Sequence, residues 1–336
     1  MEKKSLLAQH FTPEIEAQLA SVRTSNGFTV ADVVRSGQQN PDSSVGVYAG
    51  DEESYKAFAP LLDPVIESYH GHGPADTHQR DLSVESLGDV HDLDPSGERI
   101  VSTRIRVGRN LKGFAFAPAI SKESREEVER QVVAALTSLT GELAGTYYPL
   151  SGMTDDVASK LIADHFLFKK GDRFLESAGA NRDWPSARGI FHSANKQFLV
   201  WVNEEDQLRI ISMQPGGNVR EVFARLSTAI GELEKKLTFA YDDRHGYLSS
   251  CPTNLGTAMR ASVHVKLPKL GATEALKQEC AKLGLSVRGI HGEHSESEGG
   301  VYDISNKRRL GVSEAEAVRL MAAGVQHLMD MESQLA

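Results

Sequence analysis

Two short stretches set polar side chains, arginines among them, at alternate positions between mostly aliphatic residues: Val101-Ser102-Thr103-Arg104-Ile105-Arg106-Val107 and Arg260-Ala261-Ser262-Val263-His264-Val265. An extended chain turns successive side chains to opposite faces. Ser102, Arg104 and Arg106 therefore share one face of a predicted strand, opposite Val101, Ile105 and Val107. Arg260, Ser262 and His264 repeat the device, opposite Ala261, Val263 and Val265. A sheet containing such strands buries the aliphatic face and presents guanidinium groups on the other. Guanidinium forks match phosphate oxygens in bidentate fashion and keep their charge. In a chain of net charge −9, this points to a local site for a multiply charged anion. It argues against broad binding to nucleic acid or anionic membranes.

The surrounding pattern is mixed. Thr12-Pro13 supplies a cap and first helical position ahead of Ile15, Leu19 and Val22. Phe58, Leu62, Val65, Ile66 and Tyr69 recur at helical spacing over 51–69. Between them, Ser43–Gly50 is a small-residue loop able to close over a ligand. Residues 71–98 read as a linker rich in Gly, Asp, His and Pro, and His70, His72, His78 and His91 as solvated loop residues, not metal ligands. Beyond residue 100, Val128, Val132, Leu136, Leu139 and Leu143 predict one amphipathic helix, and Val222, Leu226, Ile230, Leu233 and Leu237 another. Phe198–Val202 and Leu208–Met213 predict a hairpin across the acidic turn Asn203-Glu204-Glu205-Asp206-Gln207, beside Arg209. A helix over 274–283 stops at Gly284. Ser313-Glu314-Ala315-Glu316 reads as a capping box opening a last helix with Ala317, Leu320, Met321, Val325 and Leu328 inward.

Strand–strand–helix order with short turns predicts an α+β fold with an antiparallel sheet, not βαβ winding. At 336 residues two domains are expected, 1–90 and 91–336. No apolar run reaches membrane-spanning length, and the N-terminal residues lack the apolar core of a signal peptide. Cys251 and Cys280 form no CxxC, so a cytoplasmic protein is expected.

The chain has no GxxxxGK[ST] loop. A polyphosphate would need another cradle, assembled by the fold from Arg104, Arg106, Arg209, Arg260 and Arg288. Any one of these alone reads as a solvated strand arginine; the paired faces favour a ligand. Arg288–Gly300 carries four glycines and Glu293, the composition of a lid. His291 and His294 within it match neither HExxH nor HxxEH. Cys251 precedes Pro252, and a Thr253 hydroxyl bonded to its sulfur would favour thiolate. Such a thiolate is a nucleophile or an anion for a cationic substrate, and the second role reads better because no cysteine-protease pattern surrounds it. Cys280 reads as helix core.

With these motifs in hand, the chain resembles the phosphagen (ATP:guanidino) kinases, nearest their arginine-kinase branch. CPTNLGT at 251–257 is the most specific match. STRIR at 102–106, NEED at 203–206, RASVHVKLPKL at 260–270, GGVYDISNKRRLG at 299–311 and the short SSVGVYAG loop at 43–50 support it. The resemblance implies a small all-helical domain (1–90) for the guanidino substrate and a larger α+β catalytic domain (91–336) for ATP. It implies reversible transfer of the γ-phosphoryl group of MgATP to L-arginine, giving phosphoarginine and ADP. Arg104, Arg106, Arg209, Arg260 and Arg288 would hold the phosphates. His165 and His264 would flank the adenine, with Ser102 and Ser262 nearby. Glu205, Glu293 and Cys251 would contact the guanidinium, and Ser43, Val45, Gly46 and Tyr48 the amino-acid end. Magnesium would have no direct protein ligand, Glu204 and Asp206 holding waters of its shell. A monomer is implied, with a dimer also compatible. Ser44, Ile290 and His291 depart from the usual glycine, threonine and arginine. The competing readings are a kinase of creatine, glycocyamine or taurocyamine, a protein-arginine kinase, and a non-catalytic nucleotide-binding module.

Overall fold

The computed structural model describes residues 4–164, 166–289 and 299–335. The two arginine strands lie side by side at the middle of one sheet. The strands are β1 (Ile100–Arg109), β2 (Gly145–Pro149), β3 (Gly189–Ser193), β4 (Phe198–Val202), β5 (Leu208–Pro215), β8 (Met259–Lys266), β9 (Leu285–Gly289) and β10 (Val301–Asn306). They run antiparallel in the order β2-β3-β4-β5-β1-β8-β10-β9. A separate ribbon joins β6 (Tyr241–Asp242) to β7 (Gly246–Tyr247).

The aliphatic side of the sheet forms the larger core. Ile105, Val107, Val200, Ile210, Val263, Val265 and Ile304 are fully buried there. They share one cluster with Val128, Val132 and Leu136 of α6 (Lys122–Leu136), Val222, Leu226, Ile230 and Leu233 of α9 (Val219–Glu234), and Met321, Val325 and Leu328 of α12 (Glu314–Gln334). The predicted hairpin forms, with Trp201 opposite Arg209. Two inward assignments fail. Val101 is exposed because the register slips between Ile100 and Ser102, and Leu320 is exposed on α12. The helix predicted as far as residue 143 ends at Leu136; Leu139 and Leu143 are buried from the turns that follow.

The first seventy residues hold α1 (Leu6–His10), α2 (Pro13–Leu19), α3 (Val30–Gln39), α4 (Ser54–Ala57) and α5 (Ala59–His70). Thr12 caps α2, with Pro13 at its first position. The continuous helix expected over 51–69 is broken at Phe58, because Pro60 has no N–H to donate and suits the first turn of a new helix. The apolar faces of these helices enclose a second core of Leu7, Val33, Phe58, Leu62, Val65 and Ile66, which also takes in Phe116, Leu248, Leu255 and Leu310 from the later chain. The remaining helices are α7 (Asp155–Ala163), α8 (Arg173–Ala178), α10 (Pro268–Gly271) and α11 (Ala275–Lys282). Beneath α7, Leu167 and Phe168 cover Leu199, Trp201 and Ile211 on the polar side of the sheet.

Two loop expectations are corrected. Three of the four linker histidines are not solvated, because each satisfies a backbone group that would otherwise be buried without a partner. His70 Nε2 donates to the Pro252 carbonyl and His72 Nε2 to that of Arg244, both at 2.8 Å. His78 Nδ1 accepts from Gly311 N at 3.3 Å, while His91 is exposed. Nor is Ser43–Gly50 an open flap. Val45, Gly46, Val47, Ala49 and Gly50 are buried, and Gly46 O and Ala49 N bond to Gly37 N and Ser250 O. Gly46 has φ +85°, and a Cβ on Gly37 would stand 2.4 Å from Gly46 O, so both positions require glycine.

Candidate active site

Antiparallel register gathers the arginines. Across β1 and β8, Ser102 faces His264, Arg104 faces Ser262 and Arg106 faces Arg260. Across β1 and β5, Gly108 faces Arg209. On the other flank, His264 faces Asp303, which faces Arg288 on β9. Paired residues share a face, so all five predicted arginines lie on the side of the sheet away from the main core. A small cavity of about 20 Å³ is walled by Arg106, Arg209, Arg260, Asn254 and Asp206, and also by Arg309, which the sequence reading did not assign. Beside it, a cleft of about 720 Å³ runs from Arg104 and Trp201 past Glu204 and Glu205 to Lys169, Lys170 and Asp172.

The charges in this site are unevenly matched. Arg209 is held by Glu204 Oε2 at 3.1 Å and Glu205 Oε2 at 2.8 Å, and these acids, with Asp206, raise its pKa despite burial. Arg260 donates to Asp303 Oδ1 at 2.8 Å, and Asp303 Oδ2 lies 3.5 Å from His264 Nε2. Among the described residues, neither Arg104 nor Arg106 has a carboxylate partner, and Arg104 Nε is buried without a hydrogen-bond acceptor. Burial, then Arg209 and Arg260, depress Arg104 to about 10. Burial, then Arg209, Arg104, Arg260 and Arg309, push Arg106 well below the usual guanidinium value. Asp303 and Glu204 offset part of this crowding at Arg104, and a bound anion would relieve more of it.

Next to the cations stands an anionic corner. Glu205 Oε1 accepts from Asn254 Nδ2 at 3.1 Å. Asn254 closes the short 3₁₀ turn Pro252–Asn254, whose N-cap is Cys251. Cys251 Sγ lies 3.1 Å from Thr253 Oγ1, as the sequence suggested. The balance of its titration differs from that expectation: burial, then Glu205, push the thiol up to about 12 against the pull of Thr253 and Arg309. Burial, followed by Cys251 and Glu205, also raises the Tyr48 hydroxyl, which sets the 43–48 strap against the same corner. Asp206 is buried, with Oδ1 accepting from Asn110 at 2.8 Å and Ser249 at 2.7 Å. His165, Ile290, His291 and Glu293 lie outside the described residues.

Sequence comparison shows the family. The sequence matches the C-terminal catalytic domain of ATP:guanido phosphotransferases over residues 127–335 and their N-terminal domain over 1–67. The chain belongs to the ATP:guanido phosphotransferase family. An arginine kinase of Anthopleura japonica is 54% identical over 98% of this chain, which spans 47% of that longer protein. Arginine kinase Lit v 2.0101 of Penaeus vannamei is 52% identical over 99% of this chain and 94% of its own length. A lombricine kinase crystal structure superposes with TM-score 0.93 at 41% identity, covering 98% of this chain and 92% of that one. The substrate-free duplicated taurocyamine kinase from Schistosoma mansoni gives 0.92 at 44%, covering 98% and 47%.

Neither matched range includes β1, so Arg104 and Arg106 join the candidate site by strand register. Three further residues belong to the site. Arg309 Nη1 donates to Thr253 O at 3.2 Å and to Asn254 Oδ1, tying the anionic corner to the arginine cluster. Its signal lay in the Lys307-Arg308-Arg309 run, which spacing alone could not resolve into one inward and two exposed cations. Trp201 lies 5.5 Å from the Arg104 guanidinium carbon and 5.6 Å from that of Arg209, within cation–π range of both. Asn254 stood inside the CPTNLGT motif without an assigned task.

Proposed function

We propose that this chain transfers the γ-phosphoryl group of MgATP reversibly to the guanidinium of L-arginine. The observation that carries the reading is the junction of opposite charges: two half-buried arginines without carboxylate partners among the described residues stand beside an acid-and-thiol corner, with Arg209 held by its acids. The arginines fit a polyphosphate, which supplies the missing negative charge, and the corner fits a planar cation.

Phosphoryl transfer proceeds through a loose transition state whose charge spreads over the equatorial oxygens. Arg104, Arg106, Arg209 and Arg260, fixed by sheet register, and Arg309, held by Thr253 and Asn254, meet that charge with donors set beforehand, which lowers the reorganisation needed at reaction. Glu204 and Asp206 suit water-mediated contact with Mg²⁺, which when bound neutralises part of the phosphate charge. An alkylguanidinium titrates above about 12 and attacks poorly while protonated. Glu205 would orient the attacking nitrogen and take its proton; Asn254 steadies its Oε1 and Arg209 its Oε2, the oxygen it would share with the acceptor. Cys251 supplies the adjoining wall, and the arriving cation favours its thiolate form. The strap at Ser43, Val45, Gly46 and Tyr48 suits the amino-acid end of the acceptor.

The arginine-kinase relatives favour arginine over creatine, glycocyamine, lombricine or taurocyamine. A coupled ADP-release assay with each of these compounds tests the choice. Arginine should give the highest kcat/KM, and a higher value for any other acceptor would overturn it. A monomer in a reducing cytoplasm suits the two free cysteines.

A further inference from the structure

The segment that carries Cys251 is gripped by the helical part of the chain through its backbone carbonyls. Tyr55 Oη donates to Ser249 O. Ala49 N donates to Ser250 O at 2.7 Å, and Ser250 Oγ returns a bond to Ala49 O at 2.9 Å. His70 Nε2 lies 2.8 Å from Pro252 O. A carbonyl only accepts, so that nitrogen must carry its hydrogen. All three donors belong to the first seventy residues, and all three acceptors lie within two positions of the thiol.

These donors are rigidly mounted. Tyr55 is buried, with its ring 5.1 Å from that of His245. His70 ends α5, whose Leu61, Leu62, Val65 and Ile66 are fully buried, and Gly71 stops the helix in a left-handed conformation at φ +67°. From the opposite side, Ser249 Oγ donates to Asp206 of the acidic turn at 2.7 Å. The thiol segment is thus clamped between the helical core and the turn that bears Glu205. Cys251 caps the 3₁₀ turn whose last residue, Asn254, holds Glu205, so a displaced Pro252 would shift thiol and carboxylate together.

We propose that Tyr55 and His70 are positioning residues for the acceptor pocket, setting the place of Cys251 and, through Asn254, of Glu205. Neither needs to touch the substrate. They lock the amino-acid strap, continuous with Ala49, and the guanidinium corner into one unit, so both ends of the acceptor meet a single rigid surface. The assignment rests on the phosphoryl-transfer reading.

The test compares Tyr55→Phe, His70→Leu and His70→Gln with the unaltered protein. Each is assayed for kcat, the KM values for arginine and ATP, and the rate of Cys251 alkylation by iodoacetamide, followed by peptide mass. Tyr55→Phe and His70→Leu should lower kcat about tenfold, as expected for a misplacement well below 1 Å, and alter the alkylation rate several-fold, with the KM for ATP within about twofold. His70→Gln keeps a donor and should recover most of the loss. The proposal falls if kcat and alkylation stay within about twofold in both Tyr55→Phe and His70→Leu, or if the KM for ATP rises as steeply as kcat drops. It also falls if His70→Gln is no better than His70→Leu. Should His70→Leu not fold, Tyr55→Phe decides by the same criteria. An unaltered protein inactive on every guanidine would reject the parent reading, while alkylation rates would still decide the positioning claim.

Discussion

Replacing Arg104 by methionine should make the ligand-free protein more stable and its nucleotide complex weaker. The guanidinium falls from 12.5 to about 10 on folding, first through burial and then through Arg209 and Arg260. A cation whose folded pKa lies below its unfolded value disfavours the folded state at every pH where it stays protonated. At roughly 1.4 kcal/mol per pH unit this amounts to about 3 kcal/mol. Methionine keeps most of the apolar stem but loses the cation–π contact with Trp201, about 1 kcal/mol. The remainder, about 2 kcal/mol, is to be set against an unfolding entropy of roughly 2.1 cal/mol/K per residue, which raises Tm by about 3 °C in a chain of this length. Bound nucleotide reverses the sign, because its phosphates supply the partner that Arg104 lacks. Truncating one side of a desolvated charge pair costs about 2–5 kcal/mol, so ADP affinity should fall about 10²-fold or more. Scanning calorimetry without ligand, paired with titration calorimetry using MgADP, measures both quantities. A variant that melts several degrees lower yet binds ADP as tightly as the parent would refute the view that this arginine is held ready for an anion.

Arg209→Lys should reduce kcat by about 10³-fold or more while the fold persists, since one ammonium cannot span Glu204 and Glu205 as the fork does; normal turnover would remove Arg209 from the reaction. Thr253→Val should slow Cys251 alkylation at pH 8 several-fold, because the hydroxyl at 3.1 Å from sulfur favours the thiolate; an unchanged or faster rate would show that this bond does not tune the thiol. Burial, then Glu205, push the Asp206 carboxyl up from 3.8 to about 6, so the folded chain holds an extra proton between those values and this group makes stability fall as pH rises through them. Asp206→Asn should therefore gain up to about 3 kcal/mol at pH 7 and nothing below about pH 4; a pH-independent difference in urea unfolding would contradict the raised value.

What the sequence disclosed and what it withheld divide along a physical line. Strand alternation placed Arg104, Arg106, Arg260, Ser262 and His264 correctly because a period of two leaves a side chain only one of two faces. That same constraint made the antiparallel layer readable from the hairpin around Glu204–Asp206. Alternation says nothing about which strands become neighbours, so it could not show that Gly108 would sit opposite Arg209 or that Arg309 would reach Asn254. Those contacts depend on pairings between segments tens to hundreds of residues apart. The linker histidines failed for a related reason. Composition marked 71–98 as loop, and a loop histidine is ordinarily solvated, but a loop packed against buried backbone must satisfy its carbonyls and amides, and imidazoles at 72 and 78 do so, as does that of His70 at the end of α5. Cys251 shows the limit of arguing from one neighbour. Thr253 does bond the sulfur, yet burial and Glu205 outweigh it. A bound cation would reverse that balance, because a positive charge beside the sulfur favours the thiolate that burial and Glu205 disfavour.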